Sequence, residues 1–290
     1  MPRVPPEPTL RVPTLRVSVC MPARNEEATV GAIVASIVEE LVERHHVVDE
    51  VVVVDDGSTD ATATVAADAG AIVVSASSVL PECGPGTGKG EALWKSLYVA
   101  TGDVLVFCDA DLTDFDPAFV TGLLGPLLLD PTGRPDVGFV KGHYDRPVGG
   151  GRVTELMARP ALGLFFPELL RIRQPLGGEF AARRAVLEQV PFVQGYGVDL
   201  GLLVDVAARF GPESIAQIDL GTRTHRNRGL DELGQQATAV LRVALRRAGV
   251  PDRPGWGEAD VAERPPIVEV EAYRARRSAT TAATQSTVAL

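Results

Sequence analysis

The stretch Val51-Val-Val-Val-Asp-Asp-Gly-Ser-Thr-Asp60 decides the fold. Four consecutive valines show no polar alternation, the pattern of a strand buried on both faces, and such strands belong to parallel sheets covered by helices. The run ends at two aspartates and Gly57, where the backbone can turn tightly, and Asp60 can cap a helix running to about Ala69. The same alternation repeats outward. Upstream, Leu15–Met21 is a β-rich run ending at Pro22, followed by apolar residues at helical spacing over Ala28–Arg44. Downstream, Ala71–Val74 is the next strand, a Gly-rich loop (Gly84–Gly90) leads into a helix through Ala100, and Val104–Cys108 is another apolar strand. Asp116-Pro117 opens a further helix, a capping carboxylate followed by proline at the first helical position. The β-α-β-α-β order predicts an α/β protein with a mostly parallel, Rossmann-like sheet and right-handed crossovers. Ligands of such sheets sit beyond the carboxyl ends of the strands. Three polar loops fall there: Ala23–Glu27, Asp55–Asp60 and Asp109–Asp114.

The second half is less regular. Val137–Tyr144 reads as a strand, Gly149–Gly151 as a hinge, and Val153–Leu170, Arg184–Gln189 and Asp199–Phe210 as helical stretches. A strand over Ile215–Leu220 and a long amphipathic helix over Leu230–Ala248 follow. After Pro251 the composition shifts to Pro, Gly and charged residues, then to Ala and Thr, and predicts a poorly ordered tail without catalytic content. The expected organisation is an extension over 1–14, a first half over 15–141, a second half over 142–250 and a tail over 251–290.

The 290 residues are 45% hydrophobic, enough for a substantial core, and carry a formal net charge of -10. That charge argues against a protein that coats nucleic acid or anionic membrane, which clustered Lys and Arg would grip. No apolar run approaches the roughly 18 residues that span a bilayer, and residues 1–14 lack the apolar core of a signal peptide. The three cysteines, Cys20, Cys83 and Cys108, have no metal-ligand spacing and read as free thiols in a reducing cytoplasm.

The chemistry concentrates in the strand-end loops. Asp109-Ala-Asp111 places two carboxylates round a small residue, able to hold Mg²⁺ or Mn²⁺ together with a ribose. Such a metal neutralises charge on a departing diphosphate. An Asp-X-Asp triplet is a weak signal alone; at the end of an apolar strand, beside two other polar strand ends, it is a strong one. Gly57 to Asp60 are explained by a plain turn with a helix cap, but the adjacent carboxylates Asp55 and Asp56 need donors, which a base and ribose would supply. Pro22-Ala-Arg-Asn-Glu-Glu27 reads equally well as a helix entry, with acidic residues favoured at its positive end. Gly84-Pro-Gly-Thr-Gly-Lys-Gly90 is not a P-loop, because its spacing and the residue after Lys89 are wrong; it remains a flexible loop delivering one lysine. Thr222-Arg-Thr-His-Arg-Asn-Arg228 gathers three arginines and a histidine, a local positive site in an acidic protein. Arg152 and Thr154, after the glycine hinge, are a second candidate anion site.

Taken together, Pro22–Glu27, Asp55–Asp60, Gly88–Trp94, Asp109–Asp111, Gly149–Glu155, Gly195–Val198 and Ala216–Asn227 resemble the glucosyl-3-phosphoglycerate synthases of actinobacteria, over roughly residues 15 to 250. The resemblance implies a GT-A fold: a nucleotide-sugar-binding sheet with a continuous acceptor-binding second half. It also implies a cytoplasmic homodimer moving α-glucose from UDP-glucose to the 2-hydroxyl of 3-phosphoglycerate with retention. The product would be a precursor of glucosylglycerate and methylglucose lipopolysaccharides. Pro22, Ala23, Glu26 and Asp56 would surround the uridine, Lys89 would lie near the diphosphate and Asp109 at the ribose. Asp111 and His225 would hold the metal, and Asp111, Lys89 and Arg223 would serve catalysis. Arg152, Thr154 and Asn227 would bind phosphoglycerate. The chain departs from the family at Asp56 and Ala110, where serines are expected, and in a shortened segment before Gly149. Rivals are an inverting transferase acting on a polyprenyl phosphate, a non-catalytic nucleotide-sugar-binding protein and, more weakly, a sugar-nucleotide pyrophosphorylase.

Overall fold

In the computed structural model, residues 15–128, 137–145, 151–222, 230–251 and 262–288 are described. The valine run becomes β2 (Glu50–Asp55), flanked by β1 (Val17–Ala23) and β3 (Ile72–Ser75), with β4 (Val104–Phe107) on the other side of β1. Alternate residues of these strands feed two cores. Cys20, Val52, Val54, Leu105 and Phe107 face one, while Val19, Met21, Val51, Val53, Val104 and Val106 face the other. That two-sided burial is why the run lacks polar alternation. Helices α1 (Val30–Ile37) and α4 (Ala118–Leu128) cover the second core, and α3 (Lys89–Val99) covers the first. A wide-turn helical segment, Val38–Arg44, continues α1 to the predicted end. Helix α2 (Thr62–Asp68) begins where Asp60 accepts the Thr62 N–H at 3.0 Å.

Strand β1 runs two residues past its predicted end, through Pro22 to Ala23. The proline is tolerated because pairing with β4 stops at Cys20, so no ladder bond on that side is lost.

Strand order is β3-β2-β1-β4-β6-β5-β8, with β5 (Phe139–Asp145), β6 (Phe180–Arg183) and β8 (Ile215–Thr222) from the second half. All neighbours pair parallel except β6, which runs antiparallel between β4 and β5. Nothing in the sequence announced β6. Its Phe180 ring stacks on Phe107 and Phe139, with centroids 4.6 and 5.1 Å away. Arg184, at the start of α6 (Arg184–Leu187), is buried and donates to the carbonyls of Leu97, Ala100 and Gly102, the polar groups left where α3 ends. Around this frame lie α5 (Arg159–Phe165), β7 (Phe192–Val193), α7 (Val198–Phe210) and α8 (Leu230–Arg247).

The expected poorly ordered tail is structured over 262–288. Strand β9 (Glu263–Arg264) pairs with β7, and α9 (Glu271–Val288) follows. Buried Arg264, Ile267 and Tyr273 dock this segment; a composition rich in Pro, Ala and charge hid three anchoring side chains. Among the described residues, no helix is long and apolar enough to cross a membrane.

Candidate active site

The carboxyl ends of β1, β2 and β4 bring the three polar loops together by direct bonds. Asn25, in left-handed backbone conformation, donates its N–H to Ser58 Oγ and accepts from the Thr59 N–H at 2.8 Å. Glu26 N–H donates to Thr62 Oγ1 at 2.7 Å, and Glu27 accepts the Ala61 N–H at 2.8 Å. Thr29 Oγ1 donates to the Ala110 carbonyl at 2.6 Å, tying the first loop to the acidic triplet. Within Pro22–Glu27, therefore, the structure uses Asn25 and Glu27 to brace the neighbouring loop. Pro22, Ala23 and Glu26 stand at the same strand end, Ala23 buried and the other two half-buried.

The adjacent aspartates have donors within the protein itself. Asp55 accepts the Ser58 N–H, and Asp56 accepts the Gly88 N–H at 2.8 Å with Arg24 3.8 Å away. Burial raises the Asp56 pKa, and the Gly88 N–H and Arg24 counter that only in part. Asp56 thus holds down the Gly-rich loop from which Lys89 emerges.

Lys89 is the centre of the site. Its Nζ lies 2.8 Å from Asp109 and 3.2 Å from Asp199, the latter carried by the first turn of α7. Burial works against this ammonium, but Asp109 and Asp199 outweigh it and raise its pKa. Beneath, Lys141 of β5 is 1% exposed; it donates to the Gly177 carbonyl at 2.5 Å and lies 3.6 Å from Asp199. Its pKa is lowered, mainly by burial, with Asp199 pulling the other way. Glu179, also buried, adds its charge to the field on both lysines. The residue after Gly177 has no room for a side chain: a Cβ on Gly178 would overlap the Asp109 carboxylate.

The acidic triplet divides. Asp109 is half-buried against Lys89, while Asp111 is exposed beyond it. A carboxylate at that position is a hard oxygen donor suited to Mg²⁺ or Mn²⁺ alongside phosphate oxygens. Among the described residues no three His, Cys, Asp or Glu gather into a metal-holding group. His225, the metal ligand expected beside Asp111, lies outside the described residues, as do Arg223 and Asn227.

A cleft of about 410 Å³ is lined by Tyr144, Asp145, Gly151, Thr154, Glu155, Arg159, Arg173 and Gln174. Thr154 is buried in its wall; Arg152 stands exposed between two lining residues. The chain from Arg173 through Gly178 runs from this cleft to Asp109, which makes the two sites neighbours. Sequence reasoning missed Lys141, Arg159 and Arg173, and gave Asp199 and Glu179 no role. A lysine within the apolar strand Phe139-Val-Lys-Gly-His was the one readable signal.

Residues 18–189 match the family model of glycosyl transferase family 2, which sets the class of enzyme. The match extends further among individual proteins. Glucosyl-3-phosphoglycerate synthase of Mycolicibacterium smegmatis is 51% identical over 245 residues, covering 81% of this chain and 78% of that protein. The enzyme of the same name from Petrotoga mobilis is 46% identical over 242 residues, covering 80% and 73%. A crystal structure of the Mycobacterium tuberculosis synthase with Mn²⁺, UDP-glucose and phosphoglyceric acid superposes with a TM-score of 0.81 at 45% identity, covering 89% of this chain and 92% of that one. The chain belongs to the glucosyl-3-phosphoglycerate synthase family, and its fold is GT-A.

Proposed function

We propose that this protein transfers glucose from UDP-glucose to the 2-hydroxyl of 3-phosphoglycerate with retention of configuration, using Mn²⁺ or Mg²⁺. One observation carries the reading: Lys89, delivered by the donor-side loop, meets Asp109 of the first half and Asp199 of the second, beside an arginine-lined cleft. Donor and acceptor would meet across that junction. Pro22, Ala23, Glu26 and Asp56 would surround the uridine, Asp109 the ribose, and Lys89 the diphosphate, and Arg223 would serve catalysis with Asp111 and Lys89. Asp111 and His225 hold the metal, which when bound neutralises charge on the departing diphosphate. Arg152, Thr154 and Asn227 take the phosphoglycerate, and Arg159 and Arg173 suit the same anion by their forked donors.

Asp199 has one carboxylate oxygen on Lys89 and the other facing Lys141. Held between two ammoniums, it orients groups and is a poor nucleophile, which favours direct attack by the acceptor hydroxyl. Attack from the leaving-group face sets the hydroxyl proton beside a departing phosphate oxygen, which can accept it. The product would feed glucosylglycerate and methylglucose lipopolysaccharide synthesis in the cytoplasm. The resemblance to the family would make the protein a homodimer.

The test is incubation with UDP-glucose, 3-phosphoglycerate and Mn²⁺, with GDP-glucose and UDP-mannose in parallel. A phosphorylated glucoside with the α configuration supports the assignment. Folded protein that yields none refutes it, and an intact donor even on long incubation marks a pure binder.

A further inference from the structure

Arg264, 7% exposed, reaches from β9 into the loop that precedes Lys89. Its Nε and Nη2 donate to the two oxygens of Glu91 at 2.6 and 2.8 Å, a bidentate pair with a fully buried carboxylate. Nη1 donates to the Cys83 carbonyl at 2.5 Å and Nη2 to that of Gly84 at 2.9 Å. The guanidinium lies over the Trp94 ring, 5.4 Å from its centroid, and Trp94 Nε1 donates to the Pro265 carbonyl at 2.9 Å. Glu91 also meets Lys95 at 2.9 Å. One side chain therefore fixes both the start of the Gly-rich loop and the first turn of α3. Gly86, between them, sits so close that a Cβ would approach Arg264 Nη2 and Glu91 to 2.5 Å. At the loop's other end, Asp56 holds the Gly88 N–H. The loop is stretched between Asp56 and Arg264, and Lys89 is the next residue.

Anchoring the C-terminal segment does not require this arrangement. Tyr273 already docks α9, accepting from Arg184 at 3.1 Å and donating to Glu188, and Ile267 is buried in the core. The acceptors of Arg264 are instead loop carbonyls and a helix carboxylate of the donor half.

We propose that Arg264 is a positioning residue for the donor site: by clamping Cys83, Gly84 and Glu91 it sets where the Lys89 ammonium meets the diphosphate of the nucleotide sugar. This rests on the reading that Lys89 contacts that diphosphate. The C-terminal segment is then a working part of the donor site.

The test uses the full chain and compares steady-state transfer with UDP affinity, measured by calorimetry with Mn²⁺. Arg264→Gln should raise the KM for UDP-glucose about tenfold while that for 3-phosphoglycerate stays within about twofold, because only the donor-side group is displaced. Arg264→Lys should recover part of the loss, since an ammonium can reach Glu91 but cannot also hold two carbonyls. Gly86→Ala, which keeps Arg264 and Glu91 in the sequence but forces the loop and the clamp apart, should give the same donor-selective shift and decides the matter if Arg264→Gln does not fold. Tyr273→Phe should lower the melting temperature with the ratio of the two KM values unchanged. The proposal is overturned if the folded variants keep the parent donor KM, if both KM values move alike, or if Tyr273→Phe reproduces the donor shift. Unchanged UDP affinity in Lys89→Ala sinks the diphosphate reading and the clamp with it. Altered affinity there, with none in Arg264→Gln, sinks the clamp alone.

Discussion

Adding one methyl group at Gly178 tests whether the Asp109 carboxylate must stay where Lys89 holds it. The new Cβ in Gly178→Ala would lie inside the envelope of the carboxyl carbon and both oxygens of Asp109. Restoring an ordinary contact of about 3.5 Å needs a shift of roughly 1 Å. Asp109 is half-buried and flanked by Lys89 at 2.8 Å, so the shift comes from rotating the carboxylate off the ammonium. A displacement of that size in a positioning group costs about a hundredfold in turnover, while overpacking costs about 1–3 kcal/mol of stability. The neighbouring Gly177→Ala is the control: its Cβ would come no closer than 3.4 Å to the Gly142 carbonyl, an ordinary contact. The assay is kcat and KM with UDP-glucose, 3-phosphoglycerate and Mn²⁺, alongside urea denaturation of both variants. Parent-like turnover in Gly178→Ala would refute the reasoning, as would equal losses in the two variants.

Asp111→Ala should abolish turnover yet move the melting temperature by no more than about 2 °C, because the side chain is exposed; a collapsed fold would make Asp111 structural. Arg247 of α8 forks onto Asp205 of α7 at 2.7 and 2.8 Å and onto Glu263 of β9 at 2.7 Å. Arg247→Met, leaving two carboxylates without their cation, should cost about 3 kcal/mol in urea denaturation, and a loss below about 1 kcal/mol would place the trio among ordinary surface pairs. At Asp56, burial raises the pKa, so the folded protein favours the protonated form. That contribution is complete below the unfolded pKa of about 3.9 and is lost as pH climbs through the raised folded value. Asp56→Asn is indifferent to pH there, so its melting temperature should gain on the parent between about pH 4 and pH 7; a parent that gains on the variant over that range would contradict the assignment.

Much of the fold was legible because the first four strands are short apolar runs alternating with helical stretches, three of them closed by Pro or Asp and β3 by a serine. Strand β6 was not, since Phe180-Ala-Ala-Arg183 is short and low in β-branched residues; its place is set by Phe107 and Phe139 on either side. The donor-side carboxylates were legible as strand-end groups, but their partners were not. That Asp56 grips Gly88, or that Asp199 lies against Lys89, depends on contacts between residues 32 and 110 positions apart. The C-terminal segment was misread for the same reason: composition averages over Arg264 and Tyr273, whose buried bonds fix its path.

Charge at the junction constrains how a donor can enter. With both lysines charged, Lys89 and Lys141 face Asp109, Asp199 and Glu179, and Asp111 adds another carboxylate beyond them. Around Lys89 itself the carboxylates outnumber the lysines, and a diphosphate arriving there is itself negative. At close range and with little water between, such repulsion is too large to be met by one lysine already engaged by two carboxylates. The deficit has to be made up by a dication arriving with the nucleotide, by the arginine-rich segment after Thr222, or by both. Lys89 then serves less as a free cation for the diphosphate than as a bridge. It holds Asp109 and Asp199 together, and on the proposed reading it would share its hydrogen bonds with the phosphate once the donor arrives. On that account the halves of the chain are coupled through one ammonium, and whatever sets its position, from Asp56 on one side to Arg264 on the other, belongs to the donor site.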